Sequence, residues 1–133
     1  AMEPKTHLGA DSALCGHIVE LGRGSARVAL DTTDQMIVDG QGLVHGGFVF
    51  GLADYAAMLA VNDPYVVLGG AQTRFIKPVR SGARVVAVAE TQSTKGRKHE
   101  VRVEASVGDE PVFEGTFTCI VLERHVLEGV GSN

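Results

Sequence analysis

One stretch, residues 42–62, most constrains what this chain can fold into. It reads GLVHGGFVFGLADYAAMLAVN, is apolar on nearly every side and contains no proline, so it predicts a helix. A helix that is apolar all round has to be buried rather than lie on a surface. This one is too short, and too rich in alanine and glycine, to span a membrane. The rest of the chain is therefore expected to wrap around it.

A single acid, Asp54, interrupts the apolar stretch, and no other carboxylate lies between Asp39 and Asp63. A carboxylate in an apolar helix is costly unless it is paired or used. Asp54 therefore either points to solvent or caps a neighbouring loop, or it belongs to a functional site. At the helix start, Gly46 and Gly47 are expected to present free backbone N–H groups and the positive end of the helix dipole. Those two glycines fit a ligand that approaches the backbone closely, and they equally fit tight packing against a sheet.

The segments on either side of the helix have the pattern of strands. Residues 17–21 and 25–31 predict a hairpin, and strands are predicted over 66–77, 85–89, 101–107 and 113–121. The run at 85–89 is continuously apolar, which is typical of a strand covered on both faces. Two strands, a buried helix and four more strands joined by short turns predict an α+β fold with antiparallel pairing. We expect one domain over residues 1–133, with flexible ends at about 1–13 and 124–133.

Composition and charge exclude several classes of protein. The net charge of −4 argues against nucleic acid as the main partner. No secretory leader and no lipid-spanning run is visible in the sequence, so we expect no membrane association and a cytoplasmic location. The five histidines lack metal-ligand spacing, which predicts no metal. The two cysteines allow one disulfide without suggesting a secreted framework.

The motif His45-Gly46-Gly47, followed by Asp54 nine residues after the histidine, resembles a known family. It is similar to the start of the central helix in hotdog-fold acyl-CoA thioesterases of the phenylacetate-degradation (PaaI-like) type. The sequence RFIKP at 74–78, with Gly82, and the basic turn KGRK at 95–98 extend the resemblance over about residues 14–122. The resemblance implies the hotdog fold, in which an antiparallel sheet wraps around one long central helix.

The same resemblance implies an activity and a set of roles. The protein is expected to hydrolyse an acyl-CoA thioester, with Asp54 as general base or nucleophile and the Gly46 N–H as oxyanion donor. His45 is either an acid/base or a residue that orients the loop by hydrogen bonding to the backbone, and we favour the second role. Coenzyme A is part of the substrate, so no separate cofactor is expected.

Basic residues are candidates for binding the phosphates of coenzyme A. Eight of the twelve lysines and arginines fall between Arg74 and Arg102, which fits either a phosphate footprint or the solvated faces of antiparallel strands. Arg97 and Lys98, in the basic turn, are the best pair. Lys77 and the helix-start residue Gly47 complete the predicted substrate-binding set.

The spacing between Gly46 and Asp54 has a consequence for assembly. Eight residues of helix place them about 12 Å apart along the axis, and one carbonyl carbon cannot lie within about 3 Å of both. Either Asp54 is not catalytic, or it acts with the helix start of another chain. The family resolves this with a two-fold dimer, so we predict a homodimer with shared active sites, with a homotetramer as the larger assembly.

Two other functions fit this fold. A hydratase or dehydratase acting on acyl thioesters needs a catalytic histidine paired with an acid across the site, and its signatures are absent. A non-enzymatic acyl-CoA-binding sensor, as in fatty-acid-responsive repressors, needs a DNA-binding segment, for which we expect no room here. The chain also departs from its relatives, because residues 1–16 lack the asparagine that many of them carry near the site. His7 is the candidate replacement, and Met58 stands where some relatives have a hydroxyl.

Overall fold

The computed structural model describes residues 2–129. Ala1 and residues 130–133, which include most of the glycine-rich end, lie outside the described part. The described part contains two helices, six strands and two short 3-10 turns, at Asp34–Met36 and Val126–Gly129. The helices are α1 (Ser12–Cys15) and α2 (Gly46–Val61); the strands are β1 (His17–Gly22), β2 (Ser25–Asp31), β3 (Val66–Phe75), β4 (Arg84–Lys95), β5 (Lys98–Val107) and β6 (Glu110–Val121).

The long helix α2 starts four residues later than the apolar stretch and ends one residue earlier. Leu43 and Val44 are held in extended conformation by bridges to Arg80 and Ile37, so the helix begins only at Gly46. At the other end, Asn62 adopts a left-handed conformation with φ 53°, which asparagine tolerates better than most residues. Its N–H donates to the Met58 carbonyl at 2.8 Å and closes the last turn.

The six strands form one antiparallel sheet in the order β1-β2-β4-β5-β6-β3. The inner face of the sheet packs on α2, whose buried residues run from Val49 to Ala60. The predicted α+β fold, an antiparallel sheet wrapped around one long helix, is therefore confirmed.

Within residues 2–129, only one face of the sheet is covered. In β4, Val85, Ala87 and Ala89 are buried, while Val86 and Val88 between them are half-buried. The expectation that this strand is covered on both faces was wrong for the single chain, because α2 lies against the inner face alone.

The edge strand β3 differs in detail from its prediction. The pairing of β3 with β6 shifts register between Leu68 and Gly70, so the strand continues through a bulge at Gly69. β3 ends at Phe75 rather than at residue 77, because the N–H groups of Ile76 and Lys77 both turn to the Val112 carbonyl, at 2.8 and 3.3 Å. From Gly69 onward every residue of β3 is exposed.

Three further expectations bear on the chain as a whole. Cys15 and Cys119 are both free, so the disulfide that two cysteines allowed does not form. None of the helices within residues 2–129 has both the length and the apolar character that crossing a membrane requires. Part of the segment expected to be a flexible end is docked on the protein, because Lys5 hydrogen-bonds to Asn62 and Thr6 is buried.

Candidate active site

The start of α2 is closed by a side-chain cap. His45, in extended conformation, is the N-cap residue, and its Nδ1 accepts a hydrogen bond from the Gly47 N–H at 2.7 Å. A Cβ on Gly47 would lie 2.8 Å from that same Nδ1, so glycine at this position is what lets the ring fold back. The histidine therefore has a definite local function, to orient the first turn of the helix.

The cap decides which backbone groups stay free. The Gly47 N–H is taken by His45, and the Phe48 N–H donates to the His45 carbonyl at 3.1 Å. The Gly46 N–H has no acceptor within the part of the chain that the structure describes. The expectation of two free N–H groups thus holds for Gly46 and was wrong for Gly47, because the histidine ring reaches the second amide.

A groove of about 330 Å³ opens beside Gly46. The Phe75 ring is its most conspicuous wall: it is 53% exposed, and its edge lies 3.1 Å from the position that a Cβ on Gly46 would take. Other walls are Val49, Lys77 and Val112. The groove can therefore bring an apolar chain close to the free Gly46 N–H.

Asp54 lies in a second groove, of about 400 Å³, whose walls include Thr6, His7, Met58 and His125. Asp54 Oδ1 is buried and has no hydrogen-bond partner among the described residues. Burial raises the pKa of Asp54 above its ordinary value, and the charge of His7 acts in the opposite direction. An acid kept in this state, at a cost in stability, marks a candidate for chemistry.

The two grooves are separate within one chain. They share no lining residue, and they lie at opposite ends of β3, with Val66 at one and Phe75 at the other. Nine residues of strand span about 30 Å. A single chain thus groups His45, Gly46, Gly47 and Lys77 at one end, and leaves Asp54 at the other.

The predicted phosphate-binding residues already have acidic partners. Arg97 Nη2 lies 2.9 Å from Glu123 Oε1, Lys98 Nζ lies 3.8 Å from Glu100 Oε1, and Lys77 pairs with Glu110. All three cations are exposed, and exposed ion pairs are weak. A phosphate can compete for such groups, so their predicted role stays a prediction.

The basic turn lies at the Asp54 end of the sheet. Lys98 pairs with Ile120, which in turn pairs with Val67 of β3, and Val67 is a wall of the Asp54 groove. Lys77 instead lines the Gly46 groove. The predicted substrate-binding cations are therefore divided between the two grooves.

Cys119 lies near Asp54 but is not a nucleophile. Its side chain is fully buried, and burial, with the charges of Asp54 and Glu100, raises the pKa of its thiol to about 12. Since the thiolate is the reactive form, the neutral thiol acts here as a small apolar side chain. Within residues 2–129, no three histidine, cysteine or acidic side chains cluster closely enough to hold a metal ion.

Sequence reasoning missed two residues of these grooves. Phe75 was part of a family motif, but nothing in its spacing indicates that its ring covers Gly46. Thr6 carried no signal at all, and His7 was named only as a candidate replacement. Thr6 and His7 both line the Asp54 groove, although they lie nearly fifty residues from Asp54 in sequence.

Comparison with known proteins gives one family. The family model of the thioesterase superfamily matches residues 41–114, which include the start of α2 and Asp54. Among curated proteins, methylthioribose-1-phosphate isomerase of Aquifex aeolicus is 47% identical over 91% of this chain and 26% of its own length. Transcription factor FapR of Caldanaerobacter subterraneus is 30% identical, over 93% of this chain and 62% of its own length. This chain thus spans less than two thirds of either relative.

Solved structures share the whole fold. An uncharacterized protein from Pyrococcus horikoshii superposes with a TM-score of 0.94 at 52% identity, over 95% of this chain and 97% of that chain. A mutant of the phenylacetic acid degradation protein PaaI from Thermus thermophilus gives a TM-score of 0.76 at 32% identity, over 84% and 96%.

Proposed function

Because this chain belongs to the thioesterase superfamily, we propose that it hydrolyses an acyl-CoA thioester to the free acid and coenzyme A. One observation carries the proposal: Asp54 lines an open groove, and its buried oxygen Oδ1 has no partner among residues 2–129. A carboxylate without a partner is expensive to bury. Its presence in an otherwise apolar helix is explained if it acts on a substrate.

The proposed reaction uses Asp54 and Gly46 together. As general base, Asp54 takes a proton from water while the water oxygen bonds to the thioester carbonyl carbon. The Gly46 N–H stabilises the negative oxygen of the tetrahedral intermediate. The C–S bond then breaks, and the sulfur leaves as the thiol after taking the proton. In the alternative route, an Asp54 oxygen attacks the carbonyl carbon first, the C–S bond breaks, and the coenzyme A sulfur leaves as a thiolate that takes a proton from solvent. Water then hydrolyses the resulting anhydride to the free acid and the Asp54 carboxylate.

A two-fold dimer unites the two grooves. β3 is an exposed edge strand of ten residues without proline, the kind of edge that pairs with another chain. Antiparallel pairing of two copies about an axis at Ala71 sets Val67 of one protomer, a wall of the Asp54 groove, opposite Phe75 of its partner. The Asp54 groove of one chain then adjoins the Gly46 groove of the other. This geometry supports a homodimer with two shared sites.

The coenzyme A end of the substrate fits the basic turn. In such a dimer Arg97 and Lys98 flank the Asp54 groove, where they can exchange their carboxylate partners for phosphates. The apolar walls around Phe75 and Val49 suit an aliphatic or aromatic acyl group.

The test is release of free thiol from a panel of aliphatic and aromatic acyl-CoAs. Wild type is expected to release thiol from at least one of them. The Asp54→Asn variant, which keeps the shape and removes the base, should lose about 10²- to 10⁴-fold in kcat. It should still bind a non-hydrolysable analogue, and Asp109→Asn, on an exposed turn, should keep full activity. Thiol release by Asp54→Asn at the wild-type rate would contradict the proposal.

A second candidate is an acyl-CoA-binding module that does not hydrolyse. Two observations favour it: the 30% identity to a transcription factor over 93% of this chain, and the raised pKa of Asp54. A raised pKa favours the protonated form of the carboxyl group, which donates a hydrogen bond instead of acting as a base. This candidate predicts that analogues and substrates bind equally well while the whole panel yields no thiol.

A further inference from the structure

The segment ahead of α1 is anchored to the end of the central helix by one side chain. Asn62 Oδ1 accepts the Lys5 N–H at 2.7 Å, and Asn62 Nδ2 donates to the Glu3 carbonyl at 3.0 Å. One amide thus satisfies a backbone donor and a backbone acceptor two residues apart. We call residues 3–7 the N-terminal strap.

The strap ends inside the Asp54 groove. Thr6 is 5% exposed, and both Thr6 and His7 are walls of that groove. Thr6 Oγ1 lies 2.7 Å from His7 Nδ1, which fixes the imidazole ring. The ring centroid lies 6.4 Å from that of Tyr55, the neighbour of Asp54 on α2. The strap therefore carries an oriented imidazole into the groove that Asp54 lines.

The backbone of His7 is unusual. Its φ of 55° lies in the left-handed region, which is uncommon for residues other than glycine. Such conformations cost free energy, persist only where the surroundings enforce them, and cluster at functional sites. Here the enforcing contacts before His7 are the Asn62 anchor and the buried Thr6. After it, the enforcing contact is the hydrogen bond from the Ala10 N–H to the His7 carbonyl at 3.1 Å.

His7 differs from the other ionisable groups around Asp54. Cys119, from β6, remains a neutral thiol, and Tyr55 has a raised pKa because it too is partly buried. His125 reaches the groove from the C-terminal turn, but its Nδ1 accepts the Leu127 N–H at 3.0 Å. Among the described residues, only His7 acts against burial to lower the pKa of Asp54.

We infer that the N-terminal strap is a working part of the site: His7 is a positioning residue for the Asp54 carboxylate, and Asn62 places His7. The inference rests on the proposed hydrolysis. In this arrangement the imidazole keeps Asp54 aligned toward the thioester or its attacking water. The Asn62 anchor, at the C-cap of α2 and eight residues after Asp54, keeps the strap docked.

Two variants remove the His7 ring and the Asn62 side chain while keeping the backbone conformation at each position. His7→Gly deletes the ring and retains the left-handed conformation, which glycine adopts freely. Asn62→Gly deletes the anchor and retains the helix C-cap, where glycine is the preferred residue. Leu8→Ala, at a side chain 74% exposed outside the groove, is the matched control.

The readout is kcat and KM against pH on the best acyl-CoA of the panel. Both glycine variants should lower kcat at least tenfold and leave KM nearly unchanged. Both should move the acid limb of the kcat profile to higher pH, because the charge that lowers the pKa of Asp54 is lost or displaced. The double variant should be no worse than the worse single one, since both act through one element. Asparagine tolerates the left-handed conformation of residue 7. The His7→Asn variant should therefore recover part of the kcat lost in His7→Gly, but not the wild-type position of the acid limb.

A merely structural strap would give another result: kcat falling equally at all pH values, or not at all, in either variant. Both outcomes overturn the inference.

A readout without turnover separates this failure from failure of the proposed hydrolysis. The NMR signals of the His7 ring should move in Asp54→Asn and in Asn62→Gly. The ring signals of His17, which lies on β1 and contacts Arg84, should stay in place. Unmoved His7 signals would overturn the inference even if wild type hydrolyses the panel. If the His7 signals move but no acyl-CoA of the panel releases thiol, the proposed hydrolysis is contradicted and the strap is an element of a binding site.

Discussion

Asp54 Oδ1 is buried, and no hydrogen-bond donor among residues 2–129 reaches it. Burial raises the pKa of this carboxyl group above its ordinary value of 3.8, so the folded protein holds the proton more tightly than the unfolded chain does. Stability therefore falls as pH rises from that ordinary value through the raised one. As pH rises, the buried carboxyl group therefore weakens the fold that carries it.

Replacing Asp54 should accordingly stabilise the protein. We expect Asp54→Asn to raise the free energy of unfolding at pH 7 by about 1 kcal/mol, which corresponds to about 4 °C in Tm. At pH 3, where wild type is protonated too, the gain should vanish. Thermal melts at both pH values are the measurement, with the exposed Asp109→Asn as control. A lower Tm at pH 7 would mean that the ionised carboxylate is stabilised in the assembled protein.

Gly46 offers a test of the oxyanion donor by itself. Gly46→Pro removes the N–H at the first helical position, where proline is well tolerated, and His45 before it already has φ −62° and ψ 130°, a conformation that suits a following proline. Gly46→Ala adds the same crowding against Phe75 but keeps the N–H. We expect the proline variant to lose about 10²- to 10³-fold in kcat relative to the alanine variant. Equal rates for the two would remove Gly46 from the mechanism.

The two ends of the sheet are expected to have different functions. The β4–β5 turn carries Arg97 and Lys98 beside the Asp54 groove, and Arg97 also reaches the Val121 carbonyl at 3.4 Å. If this turn holds the coenzyme A phosphates, its contribution is the same for every acyl group and for every stage of the reaction.

The basic turn can be tested with a double variant. Arg97→Ala with Lys98→Ala should raise KM by a similar factor for each acyl-CoA and leave kcat nearly unchanged, because uniform binding is lost. Steady-state kinetics at low and high salt measures this, since the wild-type advantage should shrink as salt screens the charges. Arg84→Ala, whose partner Asp31 lies on β2, is the control. An unchanged KM in the double variant would leave the turn as a solvated hairpin.

The edge strand β3 is the element on which assembly depends. Ala71→Lys sets two positive charges side by side at the proposed two-fold axis, the means by which natural edge strands avoid pairing. We expect it to give monomers that have lost thiol release, as measured by light scattering and the acyl-CoA assay. Val19→Lys, on the opposite edge strand β1, should stay dimeric. A wild-type monomer that hydrolyses acyl-CoA would refute the shared site.

The molecule as a whole shows which features a sequence can predict. Periodicity is a local property, so the buried helix, the hairpins and their order were predictable. Helix rise alone also indicated that Gly46 and Asp54 lie too far apart to act on one carbonyl within one chain. The Asn62 anchor was not predictable, because it joins residues 57 and 59 positions apart. The capture of the Gly47 amide was not predictable either, because it depends on the rotamer of one ring.

The distance between Gly46 and Asp54 on a single rigid helix has a consequence for mixtures. In the proposed dimer each site takes its acid from one polypeptide and its oxyanion donor from the other. Asp54→Asn and Gly46→Pro protomers, each inactive alone, should therefore complement one another when refolded together. Random pairing makes half of the dimers mixed, and each mixed dimer concentrates both defects in one site and leaves the other intact. An equimolar mixture should recover about one quarter of wild-type activity, whereas sites confined to single chains would recover none.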